Sequence, residues 1–90
     1  MNLIPALSRI RVVLSRPSHP GNIGAAARAM KTMGLERLVL VEPRAFPHPE
    51  ADARASGARD VLERAVLYSS LEQALAGTVA AAAFTTRPRD

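Results

Sequence analysis

A single arginine stands within a run of small residues, and its placement is the chemically informative feature of this chain. The segment Ala25-Ala26-Ala27-Arg28-Ala29-Met30-Lys31-Thr32 follows Pro20-Gly21-Asn22-Ile23-Gly24 and ends at Met33-Gly34. Short side chains let a backbone or a ligand come close, so the Arg28 guanidinium is the dominant polar group on that surface. Such a group suits a phosphate or a ribose, because it stays charged at any ordinary pH and presents a planar fork of donors. Just before it, Gly21 permits a tight turn and Asn22 carries the side-chain oxygen of a helix cap. Gly24 admits a neighbour to the first helical turn, where free N–H groups favour an anion. The spacing is neither the dinucleotide fingerprint G-x-G-x-x-G nor a phosphate loop ending in Gly-Lys-Ser/Thr. Taken alone, it also fits an ordinary capped strand-to-helix turn.

Arg16 and Lys31 flank this segment and could bind phosphates, and His19 lies in the loop ahead of the helix. A plain surface role is equally open for each. His48, between two prolines, reads as surface. Asp52, Asp60 and Glu63 read as solvated helix acids rather than an acid/base pair. His19 and His48 lack metal-site spacing, and the absence of cysteine removes disulfides and thiolate zinc sites, so no metal is expected.

The elements that must hold Arg28 are legible around it. Ile10, Val12, Val13 and Leu14 make Arg9–Ser15 a nearly continuous apolar strand, the pattern of a parallel sheet buried on both faces. The predicted helix runs from about Asn22 to Met33, with Ile23, Ala26, Ala27, Met30 and Met33 as its buried stripe, and Gly34 is its left-handed stop. Arg37–Glu42 is a second strand, giving a strand–helix–strand unit with the usual right-handed crossover. A proline-marked loop at Pro43, Pro47 and Pro49 leads to a short helix, about Glu50 to Ser56, broken by Gly57. Ala58–Arg64 adds a turn or two of helix, and Val66-Leu67-Tyr68 is a brief strand. Ser70-Leu71-Glu72-Gln73 has the reciprocal capping pattern and opens a helix ending at Gly77. Thr78–Thr85 is a last, alanine-rich strand. The fold class is therefore α/β, a Rossmann-like parallel sheet flanked by helices. The final strand delivers Thr85, Thr86 and Arg87 to the carboxyl edge, where open parallel sheets bind ligands. The order of elements looks like the first half of an α/β domain.

Ninety residues allow one small domain, which buries only about 60–65% of its unfolded surface. The net charge of +4 is uneven: residues 1–44 hold seven Lys/Arg against two acids, and residues 45–90 hold five Arg against six acids. The basic half is the one carrying Arg28, which hints at a polyanionic partner, although eleven Arg to one Lys can also reflect base composition of the gene. The start Leu3-Ile4-Pro5-Ala6-Leu7 is too short for a signal core. The Ala80–Phe84 run is far short of a membrane span. A soluble, cytoplasmic protein is expected.

Beyond these physical readings, Pro20–Gly24 with Ala27-Arg28-Ala29-Met30-Lys31-Thr32-Met33-Gly34-Leu35 closely resembles the first motif of the SpoU/TrmH-type RNA 2′-O-ribose methyltransferases of the SPOUT superfamily. It looks most like the branch that modifies the tRNA anticodon loop. The resemblance continues through the second strand, through Ala55-Ser56-Gly57-Ala58-Arg59-Asp60-Val61-Leu62 and through Leu71–Gly77, covering about Arg9 to Arg87. It implies residues 1–90 as one partial domain with 1–8 as an N-terminal extension. The family's knotted half, with its second and third motifs, lies beyond residue 90. It also implies S-adenosylmethionine as methyl donor, RNA as substrate (tRNA before rRNA) and a homodimer. Arg28 and Asn22 take the catalytic positions, and Phe84, Thr85 and Thr86 fall on the donor-contacting loop, where Phe84 and Thr86 depart from the usual residues. Arg16, His19, Arg28 and Lys31 are the candidate RNA contacts.

A 2′-hydroxyl is a poor nucleophile. Arg28 is expected to bind the phosphate beside the target ribose and to stabilise charge on the 2′-oxygen, rather than to act as a base. With few aromatics, recognition would rest on backbone charge and shape. Two other readings remain open: a module that binds RNA or dimerises without methyl transfer, and a small nucleotide binder unrelated to methylation.

Overall fold

A computed structural model of the chain describes residues 10–76 and, as backbone, residues 80–85. Strand β1 (Ile10–Ser15) is followed by helix α1 (Pro20–Met33) and strand β2 (Arg37–Val41). Helix α2 (Pro49–Ala55), a 3-10 turn (Ser56–Ala58) and helix α3 (Arg59–Glu63) come next. Strand β3 (Val66–Tyr68), helix α4 (Leu71–Leu75) and strand β4 (Ala80–Thr85) complete the order. The four strands form one sheet in the order β3-β2-β1-β4, with every pairing parallel. This is the expected α/β architecture. The N-terminal extension 1–8, the expected helix end at Gly77 and the beginning of the last strand at Thr78 lie outside the described residues.

Alternation along the central strands assigns the core. Val12 and Leu14 of β1 and Leu38 and Leu40 of β2 point to one face, where they pack with Ile23, Ala27 and Met30 of α1 and with Ala51, Ala55, Ala58, Val61 and Leu62 from α2 to α3. Val13, Val39 and Val41 point to the other face, where Ala74 of α4 and half-buried Tyr68 cover them. The continuous apolar run of β1 thus has the cause expected for a parallel sheet, burial from both sides.

Strands β1 and β2 leave the sheet in the same way. Arg16 and Glu42, the first residues beyond each strand, have φ of 53° and 47°. The Arg16 amide donates to Val41 O at 2.7 Å and the Glu42 amide to Tyr68 O at 3.0 Å, so each ladder is extended by one bond as the chain turns away. Both residues therefore accept a sparsely populated backbone conformation.

Helix α1 begins two residues earlier than its sequence suggests. Pro20 occupies its first turn with His19 as the extended N-cap, whose side chain makes no capping bond. The fixed φ of proline suits a helix start and its missing N–H costs nothing there. Asn22 is therefore inside the helix and is not the cap, and Gly21 is not a turn residue. At the other end Gly34 is left-handed, at φ 80°. Its N–H and that of Leu35 return to Lys31 O and Met30 O, the stop expected of glycine. Met33, expected in the buried stripe, is 58% exposed.

Helix α2 is capped by His48, whose Nδ1 accepts from the Glu50 amide at 3.0 Å. It breaks at Ser56, at φ 53°, and not at Gly57, which has open space around it. Ser70 Oγ accepts from the Gln73 amide at 3.2 Å as expected. The Gln73 side chain does not reach back; its Oε1 accepts from Ser69 Oγ at 2.8 Å.

Candidate functional site

The side chains singled out in the sequence are distributed by this topology along one path. Arg16 and His19 are exposed at the carboxyl edge of the sheet, in the link from β1 to α1. Strand β4 reaches the same edge, because Thr85 is in register with Ser15 and Phe84 with Leu14. Thr86 and the side chains of Phe84 and Thr85 lie outside what the structure describes. Asn22, Ala25 and Arg28 are all exposed. Their spacing of three makes them a single ridge on the helix surface, with Asn22 and Arg28 about 9 Å apart along the axis. Ala25 lies between them and leaves the space over the ridge open. Among the described residues, the Arg28 guanidinium has no hydrogen-bond or ion-pair partner. The Arg28 backbone carbonyl accepts from Thr32 Oγ1 at 3.1 Å.

Lys31 continues the ridge but is engaged elsewhere. Its Nζ donates to both Asp60 carboxylate oxygens, at 2.9 and 3.0 Å, tying α1 to α3. That hydrogen bond, reinforced by the ammonium charge, holds the Asp60 carboxyl below its ordinary range. Asp60 is thus a tether and not merely a solvated helix acid. Lys31 sits toward the end of α1 that is remote from His19 and Asn22, so it is not brought together with them.

The two glycines of the motif serve a neighbour made of protein. A Cβ on Gly24 would collide with the carbonyl of Ala51 and lie 2.8 Å from Arg54 Cβ. A Cβ on Gly21 would lie 2.6 Å from Glu50 Oε2. Helix α2 therefore crosses the first turn of α1 in van der Waals contact, and the two helices bury Ile23, Ala27, Ala51 and Ala55 between them and the sheet. The Glu50 carboxylate stands beside the amino end of α1, whose own first turn holds no acid. Negative charge is favourable at that end, and here a neighbouring helix supplies it.

Sequence reasoning missed Glu50, which is far in the chain from Gly21. It also missed the arginines at the opposite edge of the sheet. Arg11 and Arg37 are paired at the start of β1 and β2, and Arg64 stands two residues before β3. With Tyr68 and Val66 they line an open cavity of about 300 Å³. A recurrent arginine at the beginning of successive parallel strands was the available signal. Among the described residues, no group of acids and histidines has the arrangement of a metal site, and no helix is long and apolar enough to cross a membrane.

A parallel α/β sheet is an architecture that places ligands at its carboxyl edge, where the end of β4 meets the link from β1 to α1. Arg28 stands on α1 beyond its midpoint, away from that edge. Residues 9–89 match the SpoU rRNA Methylase family, and the chain belongs to it. It is 65% identical over 71 residues to a tRNA (cytidine/uridine/adenosine-2′-O-)-methyltransferase, TrmJ, of Pseudomonas aeruginosa, covering 79% of this chain and 28% of that protein. It is 55% identical over 71 residues to a tRNA (cytidine/uridine-2′-O-)-methyltransferase of Pectobacterium atrosepticum, covering 79% and 30%. Among solved structures it is similar to a probable methyltransferase from Bordetella pertussis Tohama I, with a TM-score of 0.78 and 58% identity over 81% of this chain and 45% of that one. The chain thus spans less than a third of the length of these curated relatives.

Proposed function

We propose that this chain is the first part of a methyltransferase domain acting on a ribose 2′-hydroxyl of tRNA, with residues 1–8 as an extension ahead of it. The observation that carries the reading is the exposed Asn22–Ala25–Arg28 ridge, with an unpaired guanidinium on a surface of small side chains. The names of the relatives supply the substrate class.

Arg28 binds the phosphate next to the target ribose and stabilises negative charge as it grows on the 2′-oxygen. Asn22, further along the ridge toward the carboxyl edge, bonds the ribose. Arg16 and His19 contact the neighbouring backbone, while Lys31 contributes charge only if its bond to Asp60 opens. S-adenosylmethionine, when bound, supplies a methyl group already activated by a positively charged sulfur. The part of its site present here is the carboxyl edge, where the β4 backbone at Phe84 and Thr85 ends beside Ser15. That fits a donor held by a strand-end loop, with Phe84, Thr85 and Thr86 as the contacts. Holding donor and ribose in line provides much of the remaining rate. Action on tRNA implies the cytoplasm, and pairing of two copies belongs to the same reading.

The test is a chimera in which residues of this chain replace the matching segment of the Pseudomonas aeruginosa relative. The expected result is transfer of labelled methyl from S-adenosylmethionine to tRNA. A folded chimera without transfer contradicts the proposal. The exposed ridge would serve one other reading equally, an RNA-binding or dimerisation module without transfer. Titration of the 90-residue chain with S-adenosylmethionine separates the two, since binding supports a working donor site.

A further inference from the structure

The cavity over the amino edge of the sheet has no part in the site above, which runs from the opposite edge along α1 on the other face of the sheet. Its apolar lining comes from Val39 of β2 and Val66 of the edge strand β3, neighbours in register on one face of the sheet. Arg11, Arg37 and Arg64 stand round it against one acid, Glu36, and half-buried Tyr68 closes one side. Arg11 is held in place, its Nη1 donating to Ala74 O of α4 at 3.4 Å. Among the described residues, the Arg37 and Arg64 guanidinium groups have no hydrogen-bond or ion-pair partner. Two such guanidinium groups, those of Arg37 and Arg64, thus border an open cavity of about 300 Å³. The arrangement suits a ligand that brings negative charge and a flat, weakly polar body.

We propose that this cavity is a second nucleic-acid contact, in which Arg37 and Arg64 bind a backbone phosphate and the Val39–Val66–Tyr68 wall receives the adjoining nucleoside. The proposal rests on the reading of the chain as an RNA-acting protein and extends it to the opposite edge of the sheet. Charge complementarity selects the occupant: a phosphodiester satisfies two guanidinium groups at once, and a base or ribose laid on valine and tyrosine covers apolar surface. An apolar protein segment would instead bury the unpaired arginines without a partner, at a cost in desolvation. The cavity lies on the sheet face that carries Val39 and Ala74, and Arg28 lies on the helix of the other face, so RNA held at both would pass around the amino edge of the sheet.

The test uses the 90-residue chain and a short oligouridylate as probe. Amide shifts followed by NMR are expected to move at Arg11, Arg37, Arg64 and Val66 as well as around Arg28. Arg37→Ala and Arg64→Ala are each expected to weaken binding about tenfold, the usual scale for one charge-assisted bond. Each should lower the log–log salt slope by about 0.7. Arg37→Lys, which keeps charge without the fork, is expected to hold the slope and lose part of the affinity. Shifts confined to the surroundings of Arg28, or binding unaltered by Arg37→Ala and Arg64→Ala, overturn this inference and leave the Arg28 site standing. Shifts at the cavity with none near Arg28 remove the Arg28 role and keep the cavity.

Discussion

Ile23, Gly24, Ala27 and Met30 of α1 are buried against the sheet and α2, whereas Asn22, Ala25 and Arg28, interleaved with them, are exposed. The same fourteen-residue helix therefore carries two unrelated sets of demands. On the buried side, residue size is fixed by what lies opposite: the strand side chains above Ile23 and the Ala51 carbonyl above Gly24. On the exposed ridge nothing in the described residues fixes residue type, yet a lone arginine is found there among alanines. A side chain that packing does not require, in a place that packing leaves open, is best explained by what comes from outside. Substitutions on the two sides should accordingly separate stability from function.

The largest effect belongs to the buried side. Ile23→Ala leaves a hole in the main core and is expected to cost about 3 kcal/mol of unfolding free energy, read by chemical denaturation. A cost under about 1 kcal/mol would mean that the α1–sheet contact is not the core described here. Gly24→Ala comes next. Alanine gains about 1 kcal/mol in helix propensity, but its methyl meets a backbone carbonyl that cannot step aside, so a net loss of about 1–2 kcal/mol is expected. Gly21→Ala is its control. The atom in the way there is the end of the flexible Glu50 side chain, and the net change should stay within about 0.5 kcal/mol. If both glycine variants behave alike, helix crossing is not what Gly24 serves.

The smallest effect is that of the Lys31–Asp60 tether, an exposed pair. Because Lys31 lowers the Asp60 carboxyl in the folded chain, the tether stabilises above the usual carboxylate range. That contribution is lost as the pH falls through the lowered value. Asp60→Asn should erase this acid-side dependence and leave stability near neutrality almost unchanged, as a pH series of melting curves would read.

Much of this was legible in the chain because it depends on near neighbours. The β-branched run of β1, the glycine stop at Gly34, the Ser70 cap and the apolar triplet Val66–Tyr68 are local signals, and each matches the element found. The misreadings have a common cause. Pro20 reads as loop until it is seen as the first residue of a helix, which removes Asn22 from the cap. Met33 fits the helical period but is exposed in the fold. Glu50 beside Gly21, Ala51 beside Gly24 and Asp60 beside Lys31 are encounters between separate helices, and no short-range pattern announces them. Of the candidate site, Arg28 was singled out from residue type and neighbours and Asn22 from the family resemblance, while the arginine cavity at the amino edge needed the strand order.

The most direct measurement compares methyl transfer by the full-length chimera carrying Arg28 with that of its Arg28→Ala variant, alongside their melting temperatures. The account predicts a fall in kcat of about 10²–10³-fold, the scale for removing one preorganised donor from developing charge, with the melting temperature unmoved. Equal turnover in the two proteins contradicts it.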